Sequence, residues 1–160
     1  MDIKRRLFLR GRPMADASAV SRPPWSVVPD AEFIARCTRC GDCVRNCPRK
    51  VLKPGDGGFP VINFDQAGCS LCGECARVCK TTAIAPAEQS EPFHWRVKVS
   101  GTCLTRHGVE CRVCGDSCDS RALRFVPAHG GIAQLQIDLD CCTGCGDCVG
   151  TCPVKAISLG

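Results

Sequence analysis

A small, metal-stabilised α+β fold, built as two tandem modules, is what this sequence predicts, and three observations predict it. The first is cysteine content: 17 of 160 residues, above the roughly 8–10% that marks a cysteine-built framework. The second is spacing. Cys37-Thr-Arg-Cys40-Gly-Asp-Cys43-Val-Arg-Asn-Cys47-Pro48 returns near the C-terminus as Cys142-Thr-Gly-Cys145-Gly-Asp-Cys148-Val-Gly-Thr-Cys152-Pro153, with two related groups between them. The third is the poverty of aromatic side chains, with 6 Phe, 2 Trp and no Tyr. A large apolar core is not expected from that composition, and small domains without one are held by disulfides or metals.

Disulfides fit poorly. Seventeen is odd, and secreted scaffolds rarely carry four clusters of closely spaced cysteines. Zinc ribbons pair two C-x2-C knuckles across a longer gap, whereas triplets of thiols suit a cubane. The spacing C-x2-C-x2-C-x3-C-P resembles the iron–sulfur run of bacterial-type ferredoxins. Three thiolates two residues apart can wrap one corner of a [4Fe–4S] cubane. The fourth is expected to start a short helix and point away, toward a different cubane. One run completes nothing; two runs exchanging their fourth ligands complete two clusters. Gly41 and Gly146 let the loop turn tightly, with its amides free to face the sulfides.

Taken in order, residues 1–30 read as a basic, partly disordered arm. Arg5-Arg6-x-Phe8-Leu9 resembles the core of a twin-arginine export signal, but Pro13, Asp16, Ser18, Ser21 and Arg22 interrupt any apolar stretch behind it. The arm is either a solvated tail or a segment that docks a partner or a membrane surface, with Arg5, Arg6, Phe8 and Trp25 as the contact residues. Trp25 is expected to pack on the first module or on a partner. Residues 31–85 form the first module. Asp30 to Ile34 suits a short helix or a strand, and the sequence does not choose. Pro48 suits the first turn of a helix, Lys53 to Gly58 a loop, and Pro60 to Asp65 a strand. The second cysteine group is Cys69, Cys72, Cys75 and Cys79, followed by Lys80 in place of proline. Residues 86–92 read as the linker and 93–160 as the second module, opening on a strand from His94 to Val99.

The third group is irregular: Cys103, Cys111, Cys114 and Cys118, with seven residues in the first gap. A second register starts at Cys111 and places Ser117 where a ligand is needed. An internal repeat arbitrates. Four and five residues after each fourth cysteine comes a small or branched apolar pair: Val51-Leu52, Ala83-Ile84, Ala122-Leu123 and Ala156-Ile157. This makes Cys118 a fourth cysteine and Cys103 a displaced first ligand, with Thr105 to Glu110 looped out. The alternative is that Cys103 is a structural thiol and three clusters form, not four. Gln134 to Leu139 alternates as a strand leading into the last run. There the spacing selects Cys142 and leaves Cys141 as a spare, buried thiol. The expected ligand sets are Cys37, Cys40, Cys43 with Cys79; Cys69, Cys72, Cys75 with Cys47; Cys103, Cys111, Cys114 with Cys152; and Cys142, Cys145, Cys148 with Cys118.

Net charge is +5, but each oxidised cluster with its thiolates carries about −2. Four would bring the total to roughly −3, so the basic balance does not argue for nucleic acid. No apolar run reaches the roughly 18 residues of a membrane span, and no signal-peptide core is evident. Thiol ligands suit a reducing, cytoplasmic compartment. No residue pair suggests an active site, and Asp42, Glu74 and Asp147 inside the runs read as capping or surface acids. No enzymatic activity is expected.

The whole chain resembles the ferredoxin-type accessory proteins of periplasmic nitrate reductase systems, within the wider polyferredoxins. The resemblance rests on Arg5-Arg6, Arg22-Pro-Pro-Trp-Ser26, Cys37-Thr-Arg-Cys40 and Gly57-Gly58-Phe59-Pro60. It also rests on Val109-Glu-Cys111-Arg, Asp116-Ser-Cys118 and the Cys152-Pro-Val154 ending. It implies a cytoplasmic protein with bacterial-type 2[4Fe–4S] ferredoxin-like modules. It further implies binding to the precursor of the nitrate reductase catalytic subunit, and with it redox or export-chaperone proteins, to assist maturation before export. A general electron carrier and a membrane-surface electron subunit are the rival functions.

Overall fold

The structure is a computed structural model that describes residues 21–86, 90–128 and 131–160. Residues 1–20, with Arg5, Arg6 and Phe8, and residues 87–89 of the expected linker lie outside the described residues. The elements run α1 (Asp30–Arg36), α2 (Asp42–Arg45), β1 (Leu52–Pro54), β2 (Pro60–Ile62), α3 (Glu74–Arg77), β3 (Val97–Val99), α4 (Val113–Asp116), β4 (Leu123–Val126), β5 (Gln134–Ile137), α5 (Asp147–Thr151) and β6 (Ile157–Leu159). Among the described residues no helix is long and apolar enough to cross a membrane.

Two α+β modules are built alike. In each, an antiparallel hairpin follows one cysteine group: β1 with β2, and β4 with β5. A second pairing closes each module from its two ends. In the second module it is β3 with β6; in the first it shrinks to a bridge between Ser26 and Ile84. Equivalent hydrogen bonds mark the repeat. Asn63 N–H donates to the Val51 carbonyl and Asp138 N–H to the Ala122 carbonyl, both at 2.8 Å. Val27 N–H donates to the Ala83 carbonyl at 3.0 Å, and Ser100 N–H to the Ala156 carbonyl at 2.8 Å. The four apolar pairs lie under these bonds and are all buried, from 1% exposed at Ala83 and Ala122 to 7% at Ile157.

Residues 21–30, on the arm side of the boundary expected at 30, are hydrogen-bonded into the first module. Ile62 N–H donates to the Ser21 carbonyl and Trp25 N–H to the Pro92 carbonyl. The Arg22 guanidinium lies over the rings of Phe33 at 4.8 Å and Phe59 at 5.5 Å, and its Nε donates to Asp30 at 2.5 Å. Trp25 is half-buried against the core that Phe33 anchors.

Asp30 to Arg36 is a helix. Acids at Asp30 and Glu32 in its first turn and Arg36 in its last complement the helix dipole, and Arg36 pairs with Glu32 one turn back. The expected helix at Pro48 is a turn. In the regular runs the short helix begins after a left-handed glycine, Gly41, Gly73 or Gly146, and contains the third cysteine; in no run does the fourth cysteine start a helix. One helical turn spans that last gap, so the fourth thiol leaves the helix end and can swing toward the other run. Leu52 to Pro54, partly expected as loop, pairs as β1 because Leu52 and Ile62 share a buried register position. Residues Leu104–His107 form a 3₁₀ turn between Cys103 and Cys111.

The modules meet around three aromatic rings. Phe93 and Trp95 stack at 4.6 Å between centroids, and Phe64 meets both edge-on at 6.2 and 6.3 Å.

Candidate metal centres

Repetition extends to single residues. Three residues after each fourth cysteine, Lys50, Thr82, Arg121 and Lys155 all adopt positive φ, between 50° and 55°. A left-handed turn at a residue other than glycine is uncommon, yet it recurs here where the chain turns from each fourth cysteine into the buried apolar pair that follows. The four fourth thiols thus share one backbone setting, with Cys47 buried and Cys79, Cys118 and Cys152 half-buried.

The third cysteine of every group, Cys43, Cys75, Cys114 and Cys148, sits in a short helix and is 7–8% exposed. Cys114 therefore occupies the same place as the other three, which is the place the stretched register gives it. Ser117, the ligand position of the other register, donates its hydroxyl to the Val113 carbonyl at 2.8 Å, within its own helix.

Four concavities contain the thiols. Cys37, Cys40, Cys43 and Cys79 line one together with Phe33 and Ile84. Cys47, Cys69, Cys72 and Cys75 line a second beside Trp25 and Leu52. Cys103, Cys111, Cys114 and Cys152 line a third with Phe125 and Ile157. Cys118, Cys142, Cys145 and Cys148 line the fourth with Leu123 and Leu159. Each set takes three thiols from one group and one from the group paired with it.

All 17 cysteines are free of disulfides. Among the described residues no three metal-ligating side chains lie close enough to share a single ion. Sets of four thiols around apolar concavities fit an iron–sulfur core. Further donors point at the sulfurs: the Leu71 amide at Cys69 Sγ (3.4 Å) and the Ala156 amide at Cys152 Sγ (3.2 Å). Hydroxyls of Thr81 and Ser120 lie 3.8 and 3.5 Å from the sulfurs of Cys79 and Cys118. Such contacts tune cluster potential.

Burial pushes the metal-free thiols of Cys43, Cys69 and Cys114 up to about 11, and those of Cys75 and Cys148 to about 12, with neighbouring thiols adding like-charge repulsion. A metal bound at these five thiols must displace their protons.

Cys141 is exposed, which corrects the expectation of a buried thiol. It lies in the turn after β5, where its N–H donates to Asp138 at 3.3 Å, and the carboxylate beside it raises its thiol. Asp42 and Glu74 pair with Arg45 and Arg77 three residues on, as surface acids should. Asp147 pairs with Arg49 of the other module at 2.7 Å. Neither that link nor the clamp on Arg22 was anticipated from sequence. The exception to the acid–arginine spacing, Gly150 where Arg45 and Arg77 stand, was the available signal.

The family described as 4Fe-4S dicluster domain matches residues 36–83 and again 109–156, leaving Cys103 outside the second match. The ferredoxin-type protein NapF of Haemophilus influenzae is 45% identical over 168 residues, covering 99% of this chain and 94% of the relative. NapF of Escherichia coli strain K12 is 39% identical over 158 residues with the same coverage. A component of the ion-translocating oxidoreductase complex of Methanosarcina acetivorans is 39% identical over 130 residues, covering 77% of this chain and 46% of the relative. The chain belongs to the NapF family of ferredoxin-type proteins, built from two 4Fe-4S dicluster domains in tandem.

Proposed function

We propose that the protein holds four [4Fe–4S] clusters, one in each concavity, ligated by the four crossed sets above. In this reading it serves in the cytoplasm as an accessory factor that binds the catalytic subunit of a periplasmic nitrate reductase before export and assists its maturation. The observation that carries the proposal is the grouping of sixteen thiols into four complete sets. Four thiols per site leave no position for a substrate, which favours an accessory or carrier role over catalysis. When bound, the clusters supply one-electron transfer. The polypeptide's part is to bury the third thiol of each group, aim amides and hydroxyls at the sulfurs and exclude water with the apolar pairs. The nitrate reductase client is supported by the NapF relatives, which match over 94% of their length. Arg5, Arg6, Phe8 and the exposed edge of Trp25 are the proposed contacts for the client or its export chaperone.

Tagged protein produced without oxygen, in cells that make a periplasmic nitrate reductase, should recover the unexported catalytic subunit. Deleting residues 1–12 should weaken that recovery without lowering iron content. A second function, general electron delivery to an oxidoreductase, is favoured by the likeness to the ion-translocating complex component. Fast reduction of such an enzyme by the loaded protein, with no client recovered, would favour the carrier.

A further inference from the structure

The first acid of α2 and α3 has a local partner: Asp42 takes Arg45, at 2.5 Å, and Glu74 takes Arg77, at 2.6 Å, each three residues on. In α5 the corresponding position is Gly150, and Asp147 turns outward. One oxygen of its carboxylate accepts from Arg49 Nη2 at 2.7 Å and from the Gly68 amide at 3.1 Å, both in the first module. Arg49 Nε donates in turn to the Gly68 carbonyl at 3.2 Å. The next amide, that of Cys69, donates to the Cys145 carbonyl at 2.7 Å. Gly150 also supplies room: a Cβ there would stand 2.8 Å from the Phe64 carbonyl oxygen and 2.9 Å from that of Asp65. The missing arginine therefore frees Asp147 and admits the backbone of the first module.

We propose that Arg49, Gly68, Asp147 and Gly150 form a lock that holds the second thiol set of the first module beside the last set of the second. Cys69 belongs to the set containing Cys47, and Cys145 to the set containing Cys118. Within each module the two sets are already adjacent, since each borrows a thiol from its neighbour's run. The four sites accordingly lie in one row: the Cys37 set, the Cys69 set, the Cys142 set and the Cys103 set. The row has two ends, one in each module, and a redox partner at either end is connected to all four sites. This deepens the function proposed above and rests on it only in taking the thiol sets to hold clusters.

The test compares the full-length protein with Gly150→Arg, which restores the spacing found in α2 and α3, and with Arg49→Gln, whose side chain is 46% exposed. Iron and sulfide are counted on every sample. In the parent protein the Gly68 and Cys69 amides should exchange slowly, and the fully reduced protein should show magnetic interaction linking more than two clusters. Gly150→Arg should keep its iron, exchange both amides about tenfold faster or more, and show pairwise interaction only. Arg49→Gln should shift both readouts in the same direction, and it decides the matter should Gly150→Arg fail to load. Unchanged exchange and an unchanged reduced-state spectrum in an iron-replete variant would overturn the lock, as would pairwise interaction alone in the parent. Loss of the cluster reading would look different: the parent itself would lack iron, while the amide exchange would still report the lock.

Discussion

Crossed ligation makes a prediction that ligation within one run reverses. Cys40 and Cys72 are the exposed thiols of the first module, and each lines a different concavity. Cys79 lies in the run of Cys72 but lines the concavity of Cys40. Cys47 lies in the run of Cys40 but lines the concavity of Cys72. In Cys79→Ser the set of Cys37, Cys40 and Cys43 loses one of four thiolates. One of the four sites should empty, taking iron from about 16 to about 12 atoms per chain. The freed thiols should then react with iodoacetamide under anaerobic, non-denaturing conditions, located by peptide mass spectrometry. Cys40 should go from protected to nearly fully labelled while Cys72 stays protected. In Cys47→Ser the pattern should invert. Labelling of Cys72 in Cys79→Ser, or of Cys40 in Cys47→Ser, would refute the exchange of fourth ligands.

Three further outcomes are expected. Cys103→Ser should remove one cluster and Ser117→Ala none, read by iron content; the opposite result would restore the register that begins at Cys111. Arg22→Met should cost about 2 kcal/mol locally: two ring contacts at about 0.5–1 kcal/mol each, and a pair with the 46%-exposed Asp30 at about 0.5–1. Faster exchange of the Val27 and Ala85 amides measures it, and unchanged exchange would show that Arg22 does not anchor the segment. Cluster loading at about pH 8 should release protons from the buried ligand thiols, over and above those shed by the hydrosulfide that supplies the bridging sulfides. The sign follows from burial, which holds Cys43, Cys69 and Cys114 protonated up to about 11 and Cys75 and Cys148 up to about 12. Loading must expel those protons, so apparent affinity should rise with pH; an indicator dye during anaerobic reconstitution measures the release, and none beyond that of the hydrosulfide would contradict the thiolate sets.

Cysteine spacing made the fold legible because thiol geometry leaves few ways to surround a cluster. The apolar pairs worked as markers for a related reason: each is buried where the chain enters the strand or bridge after its cysteine group, so Ala122-Leu123 aligns Cys118 with Cys47, Cys79 and Cys152 despite the stretched gap before Cys111. Short elements were harder. Three-residue strands such as Leu52–Pro54 carry too few side chains to show alternation, and a four-residue helix such as Asp42–Arg45 is set by a left-handed glycine and not by periodicity. Cys141 was misplaced because burial of a spare thiol depends on a turn that spacing does not encode. The lock was missed because an acid in a cysteine run reads as a surface residue until its arginine is found 98 positions away.

On the reading proposed above, thiols gathered from distant segments around iron–sulfur cores take the place of a large apolar interior. Iron and acid-labile sulfide counted per chain, with Mössbauer spectroscopy on protein isolated without oxygen, test it most directly. About sixteen of each, in [4Fe–4S] form, is the predicted result. A folded, colourless protein carrying zinc or no metal would contradict it.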